Sequence, residues 1–123
     1  MKHDHQICDT YLAAIDVLSK PWNGQLMFVL GDGPLRFSEL AERVPDIGDR
    51  MLSARLRELE ERGLITRTVD PGPPVRVSYE LTSVGRGFGD VADAIMRWGK
   101  ALVRAQEAAA PPPTQARART NRG

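Results

Sequence analysis

The chain has 123 residues, with 17 basic and 16 acidic residues and a formal net charge of +1. This length fits one domain of ordinary size, and no stretch approaches the roughly 20 apolar residues that a membrane span needs. The N-terminus is polar and lacks a signal-peptide pattern. A single cysteine excludes an intrachain disulfide, so we expect a cytoplasmic protein.

The charge is distributed unevenly along the chain. Residues 97–123 contain six Lys or Arg and one Glu, whereas residues 1–96 contain eleven basic and fifteen acidic residues. Because the body of the chain is mildly acidic, composition alone does not predict nucleic-acid binding, which would need a local basic surface.

Two helices are predicted near the N-terminus. Residues 1–9 should form a mobile segment that carries Cys8, and a first helix should begin after Asp9 and end near Leu18, because its apolar residues recur at helical spacing. The second helix, residues 22–30, is apolar nearly all round. We therefore expect it at the centre of the core.

A short helix, a tight turn and a longer amphipathic helix come next. Residues 35–37 can form a very short strand, and Ser38 is a strong N-cap candidate for a helix over residues 39–44. After a turn at residues 45–48, a helix to residue 62 is basic in its first half and acidic at its end. This order predicts a helix-turn-helix.

The longer helix of this pair has two different faces. Leu52, Leu56 and Leu59 recur at i, i+4 and i+7, so they form an apolar stripe that should be buried. The opposite face carries Arg50, Ala54, Arg57 and Glu61, and Met51 and Ser53 flank it. A helix whose basic half faces outward can enter the major groove of DNA as a recognition helix does.

Two strands and a long helix complete the predicted domain. Residues 64–69 and 75–81 alternate in polarity around a proline-rich turn, which predicts an antiparallel hairpin, or wing. Thr82 can cap a final helix over residues 83–109. That helix has more apolar surface than so small a domain can cover, so pairing with a second copy is its simplest use. Residues 110–123 are rich in Pro, Ala and Arg and should be disordered.

These segments together resemble the HxlR-type family of bacterial winged helix-turn-helix transcription regulators, which are related to the MarR group. The resemblance spans about residues 8–105. It rests on Cys8 fourteen residues before Trp22, on DGPLRFSEL at 32–40, on RMLSARLRELE at 50–60, and on LEERGLITRTV, PPVRVSYELT and SVGRGF farther on. It implies a mainly α fold with a small antiparallel β-hairpin, and homodimers that bind palindromic operators in double-stranded DNA.

Two positions depart from the family pattern. The recognition helix begins with Ile47-Gly48 where the family often has Ile-Ser, so Asp49 can take over as the N-cap. The N-terminal cysteine is followed by Asp9 where the family often has proline.

The candidate DNA contacts lie on the helix-turn-helix and the wing. An Arg at a helix start can bind guanine O6 and N7, although a solvated face with ion pairs such as Arg57–Glu61 is the alternative. A phosphate contact and an internal ion pair both stay open for Arg55, and a wing-tip Arg76 can reach phosphate or the minor groove. The predicted set is Arg36, Ser38, Asp49, Arg50, Met51, Ser53, Arg55, Arg57 and Arg76.

Cys8 is the candidate sensor. A position just before a helix N-terminus favours the thiolate, and the resemblance implies a response to oxidants, quinones or aldehydes; the alternative is an inert thiol. Since no second cysteine exists, the reaction would be alkylation, a mixed disulfide, or a Cys8–Cys8 bond across a dimer. His3 and His5 beside it make too weak a set for a metal site, and we predict no metal or cofactor.

Two further sets of residues are candidates for dimerisation and for ligand binding. The predicted dimer contacts are Leu12, Ile15, Phe88, Val91, Ile95, Trp98 and Leu102. An aromatic pocket for a small aromatic effector could be lined by Tyr11, Trp22, Phe28 and Trp98, with ordinary core or dimer packing as the alternative.

The sequence contains no catalytic motif, so we predict a protein that is not an enzyme. The expected function is that of a homodimeric, sequence-specific transcription regulator, a repressor that senses oxidants or electrophiles through Cys8. Two alternatives stay open: the same fold with a small aromatic ligand as effector, and a winged helix that binds protein rather than DNA.

Overall fold

The computed structural model describes residues 5–110, with side chains from Cys8 onward. Of the predicted mobile segment over residues 1–9, the structure describes residues 5–9, which are helical, and residues 1–4 lie outside the described range. The predicted disordered tail over residues 110–123 also lies outside that range, apart from residue 110. The elements are α1 (His5–Leu18), α2 (Asn23–Leu30), β1 (Leu35–Arg36), α3 (Phe37–Arg43), α4 (Asp49–Glu61), β2 (Ile65–Asp70), β3 (Arg76–Leu81), α5 (Ser83–Arg86) and α6 (Phe88–Ala109).

The chain divides into two compact units, Met1–Ala92 and Asp93–Gly123. The first contains the helix-turn-helix and the sheet, and the second contains most of α6. No helix in the described residues is both long enough and apolar enough to cross a membrane.

The core of the first unit forms where α2, α3 and α4 meet the sheet. As predicted, the stripe Leu52, Leu56 and Leu59 is buried, with at most 2% of each side chain exposed. It packs in one cluster with buried residues of α2 and α3, including Leu26 and Leu40. Burying a Leu contributes about 1.5–3 kcal/mol, so this stripe fixes which side of α4 remains outside.

The helix α2 is less completely buried than its composition suggests. Leu26, Met27 and Leu30 are buried, but Phe28 is 58% exposed. The side chain of Asn23 at its start is fully buried, and its Nδ2 donates a hydrogen bond to the Val17 carbonyl oxygen at 3.0 Å. This bond ties the first turn of α2 to the end of α1.

The predicted wing is present as part of a three-stranded antiparallel sheet. Strand β3 lies between β1 and β2, and the β2–β3 hairpin pairs Ile65 with Leu81 at one end and Asp70 with Arg76 at the other. The very short strand predicted near residue 35 pairs through Leu35, which lies opposite Tyr79.

Both helices of the helix-turn-helix are capped differently from the prediction. Helix α3 begins at Phe37, directly after β1, so Ser38 lies inside its first turn and the predicted Ser38 cap is wrong. Instead, the Arg36 backbone N–H donates to Glu39 Oε1 at 2.8 Å. The N-cap of α4 is Gly48, whose φ of 76° suits glycine, so the suggestion that Asp49 is the cap is also wrong.

The predicted final helix is divided in two. Thr82 is the cap, as expected: its Oγ1 accepts a hydrogen bond from the Gly85 N–H at 3.0 Å and donates to the Gly63 carbonyl oxygen at 2.7 Å. The short α5 then ends at Gly87, and α6 begins at Phe88. The prediction of one continuous helix over residues 83–109 is therefore wrong.

The first helix begins earlier than predicted. Helix α1 starts at His5, so Cys8 is its fourth residue and lies within the first turn, exposed to solvent. The prediction that Cys8 lies just before a helix N-terminus is therefore wrong. The polar residues at this end give no clear start signal, which explains why sequence reasoning placed the boundary too late.

Candidate nucleic-acid interface

The exposed side of α4 presents a continuous polar surface. Because the leucine stripe is buried, the residues opposite to it face solvent and line a shallow depression. We call this surface the α4 face; it consists of Asp49, Arg50, Ser53, Ala54 and Arg57.

Two guanidinium groups on the α4 face are free of acidic partners. Within the described residues, neither Arg50 nor Arg57 forms an ion pair, and the predicted Arg57–Glu61 pair is not made. The two arginines are seven residues apart, about 10.5 Å along the helix axis, with the small side chains of Ser53 and Ala54 between them. This spacing leaves room for base edges between two positive charges.

The α4 face also contains one acid. Asp49 is the first residue of α4 and is exposed, and its carboxylate makes no ion pair in the described part of the chain. The helix dipole favours a negative charge at this end, so the carboxylate is stable there without a cation. It makes the start of the helix less basic than the count of arginines suggests.

Two predicted contacts, Arg55 and Met51, lie at the flank of α4 instead of on the α4 face. Arg55 Nη1 donates to Glu58 Oε1 at 2.5 Å, and its Nε contacts Met51 Sδ at 3.2 Å. Only 20% of the Arg55 side chain is exposed, and Met51 packs against the core. Of the two alternatives for Arg55, the structure contains the internal ion pair.

Sequence reasoning missed a charge link between α4 and α1. Arg62, just after α4, donates from Nη2 to Asp16 Oδ2 at 2.8 Å and from Nε to Glu58 Oε2 at 3.1 Å. The hydrogen bond from Arg62 lowers the pKa of Asp16 below its ordinary value of 3.8, and the same bond raises the pKa of Arg62. The Glu58–Arg62 pair could have been predicted from its spacing of four residues on one helix. The Asp16–Arg62 pair could not, because the two residues are 46 positions apart in the sequence.

The remaining predicted DNA contacts lie on α3 and the wing. Arg36 is half exposed, with its Nε 4.0 Å from Glu39 Oε1, and Ser38 is exposed in the first turn of α3. Arg76 is exposed at the tip end of β3, opposite Asp70. Asp70 Oδ1 accepts a hydrogen bond from the Gly72 N–H at 3.1 Å, which orders the start of the turn.

The four residues of the predicted aromatic pocket differ in how far they are buried. Tyr11, Phe28 and Trp98 are all more than half exposed, and Trp22 packs against the core. An apolar groove of about 260 Å³ lies elsewhere in the first unit. Its lining consists of Ala14, Val17, Leu18, Met27, Leu64, Val84, Gly85, Gly87, Phe88 and Val91.

Six of the seven predicted dimer contacts are exposed. Leu12, Ile15 and Val91 are exposed in the first unit, and Ile95, Trp98 and Leu102 are exposed in the second. Phe88 differs, because it is partly buried and packs against the core.

No metal centre is present among the residues that the structure describes, which contain no group of three or more His, Cys, Asp or Glu suited to a metal ion. His3 lies outside that range.

Comparison with known proteins identifies the family. A family model described as HxlR-like helix-turn-helix matches residues 17–107. An HTH-type transcriptional regulator from Methanothermobacter thermautotrophicus is 42% identical over 107 residues, covering 87% of this chain and 81% of that protein. The HTH-type transcriptional regulator YodB from Bacillus subtilis is 40% identical over 92 residues, covering 75% of this chain and 82% of YodB.

Solved structures agree with this assignment. The reduced form of YodB has a TM-score of 0.69 and 37% identity, covering 79% of this chain and 91% of that structure; YodB has also been solved after diamide treatment and with bound quinone. The reduced form of the redox regulator HypR has a TM-score of 0.74 and 33% identity, covering 80% of this chain and 98% of HypR. The chain therefore belongs to the HxlR-like helix-turn-helix family of transcriptional regulators, which bind DNA through a winged helix-turn-helix and are not enzymes.

Proposed function

We propose that this regulator is a cytoplasmic homodimeric repressor that reads a palindromic operator with the α4 face. The proposal rests on Arg50 and Arg57, which form no ion pair within the described residues and lie on either side of two small residues on the exposed side of the second helix of the motif. Guanidinium groups in this position can form paired hydrogen bonds with guanine O6 and N7. Arg36, Ser38 and Arg76 are proposed to contact the sugar-phosphate backbone from α3 and the wing.

Replacing Arg50 or Arg57 with Ala tests this assignment. Each variant is expected to lose about 1–3 kcal/mol of affinity for the specific duplex if its side chain reads a base. Fluorescence anisotropy at several salt concentrations measures this loss and also the salt dependence, which should be steep for DNA binding. Arg104→Ala, which removes one exposed charge from α6, is the matched control and should bind nearly as wild type does.

Unchanged affinity in both α4 variants would contradict the assignment. If the winged helix binds a protein partner instead of DNA, the wild-type protein should not show steep salt-dependent binding to any duplex.

The homodimer is proposed from apolar side chains that a single copy leaves exposed. Large apolar residues are exposed on α1 and on α6, among them Leu12, Ile15, Ile95 and Trp98, the last of them 68% exposed. So many exposed apolar side chains on a small protein mark an association surface. A two-fold symmetric protein predicts a two-fold symmetric DNA site.

Cys8 is proposed as the sensor of oxidants or electrophiles. Its thiol is exposed on α1, and the relatives YodB and HypR are known in forms that differ in redox state or carry a quinone. An exposed thiol in the first turn of a helix is accessible to such reagents. Because the described groove contains none of the predicted aromatic residues, we favour Cys8 chemistry over an aromatic effector as the input.

A further inference from the structure

A chain of ion pairs joins α1 to α4. It begins at Asp16 on α1, passes through Arg62 and Glu58, and ends at Arg55. The three contacts measure 2.8 Å, 3.1 Å and 2.5 Å in that order. We call these four residues the α1–α4 ion-pair chain.

The geometry of this chain is more constrained than that of an isolated surface pair. Arg62 donates from two different nitrogens to acids on two different helices, and Glu58 uses one oxygen for each arginine. The Arg55, Glu58 and Arg62 side chains are only 20–31% exposed, whereas the Asp16 side chain is 56% exposed. Networks of partly buried charges restrict one another, whereas single exposed pairs contribute little.

The ion-pair chain also runs along one flank of α4 toward its N-terminal half. Arg55 Nε contacts Met51 Sδ at 3.2 Å, one turn closer to the helix start. Met51 follows Arg50, which lies on the α4 face. Within this ion-pair chain the Asp16–Arg62 pair is the contact that joins the two helices, so a rotation or tilt of α4 against α1 would stretch or break that pair.

We propose that Asp16 and Arg62 are positioning residues for DNA recognition, because they hold α4 at one angle to α1 so that the α4 face meets the major groove correctly. The inference rests on the proposed DNA-reading role of α4. It also assigns Arg55 to this positioning chain and not to a phosphate contact.

The direction of the affinity change in an Asp16 variant distinguishes a positioning role from a simple charge effect. Asp16→Asn removes a negative charge, and long-range electrostatics alone would leave binding to a polyanion unchanged or make it stronger. Loss of positioning instead weakens specific binding while non-specific binding, which needs no exact helix angle, is retained. The two effects therefore act in opposite directions on the specific complex.

Asp32→Asn provides a matched control. Asp32 Oδ2 accepts from Arg43 Nη2 at 2.6 Å, and within the described residues neither side chain of this exposed pair forms an ion pair with α4. This variant removes the same charge and one ion pair but leaves the α1–α4 ion-pair chain intact. A second test variant, Arg62→Lys, keeps the charge but lacks the planar group that spans two acids.

The experiment measures affinity of the full chain for its selected duplex and for a scrambled duplex of equal length. Asp16→Asn and Arg62→Lys are each expected to reduce the ratio of specific to non-specific affinity by about threefold to fivefold, whereas Asp32→Asn leaves the ratio at the wild-type value. Urea unfolding of each variant accompanies the binding data, since a purely structural role would lower the unfolding midpoint without changing the ratio for the folded protein.

Equal ratios for Asp16→Asn, Arg62→Lys and Asp32→Asn would overturn the inference while leaving the proposed function standing. If the wild-type protein itself shows no preference for any duplex, the proposed function fails, and the positioning role fails with it.

Discussion

Arginines of the helix-turn-helix differ in whether an acid already holds their guanidinium groups. Arg50 and Arg57 are unpaired within the described residues, whereas Arg55 and Arg62 are held by Glu58 and, for Arg62, also by Asp16. Helical spacing was enough to predict that Arg50 and Arg57 are exposed, because they lie opposite the buried leucine stripe. It did not identify the Asp16 contact, since that contact depends on how two distant helices pack.

Cys8 gives a prediction at the same scale. Cys8→Ser should bind DNA as well as the reduced wild-type protein, because the exposed thiol makes no contribution to the core. Treatment with diamide, which oxidises two thiols to a disulfide, should release the wild-type protein from DNA but leave Cys8→Ser bound. Gel shift with a non-reducing gel in parallel measures both DNA release and any Cys8–Cys8 bond between subunits.

Release of the Cys8→Ser variant by diamide would place the sensor elsewhere. Continued binding by wild-type protein that diamide has oxidised would contradict the oxidant-sensing role of Cys8.

At the scale of elements, local signals located the helices and strands better than their ends. The Thr82 cap and the β2–β3 hairpin follow from nearby residues and are confirmed. The start of α3 depends on more distant groups: α3 begins directly after β1, which pairs with β3 more than 40 residues later in the chain. This long-range pairing explains why Ser38 is not the cap.

Helix α5 packs closely against the backbone at Leu64, with Gly85 at the point of contact. A Cβ at Gly85 would lie 2.1 Å from the Leu64 carbonyl oxygen and 3.0 Å from Leu81 Cδ2. Gly85→Ala should therefore displace α5 from the strand that follows α4 and cost about 2–3 kcal/mol of unfolding free energy. Urea denaturation followed by circular dichroism measures the loss.

Gly89→Ala is the control for this substitution. Apart from its chain neighbours and its own helix backbone, no atom of the described residues lies within 4 Å of a Cβ built at Gly89 in α6. This variant should therefore be as stable as the wild type or more stable by up to about 1 kcal/mol, because alanine is the better helix former. Equal stability of the two variants would show that the close approach at Gly85 does not hold α5 in place.

At the scale of the whole molecule, the sequence motifs predicted the family and the winged helix-turn-helix, and both are confirmed. Composition was a poor guide, because a body with more acids than bases still presents Arg50 and Arg57, which have no ion-pair partner among the described residues, on one helix face. The dimer remains a prediction from exposed apolar residues on α1 and α6. Such a dimer should bind a two-fold symmetric DNA site, because two copies related by a two-fold axis would present two α4 faces.

Selection of bound duplexes from a random pool tests the central claim that paired α4 faces read DNA. For the wild-type protein we expect an inverted repeat whose half-sites are centred about 34 Å, or one helical turn, apart. Arg50→Ala should lose the base preference at one position in each half-site. No enriched sequence, or an identical motif from wild type and from the Arg50→Ala/Arg57→Ala double variant, would contradict the claim.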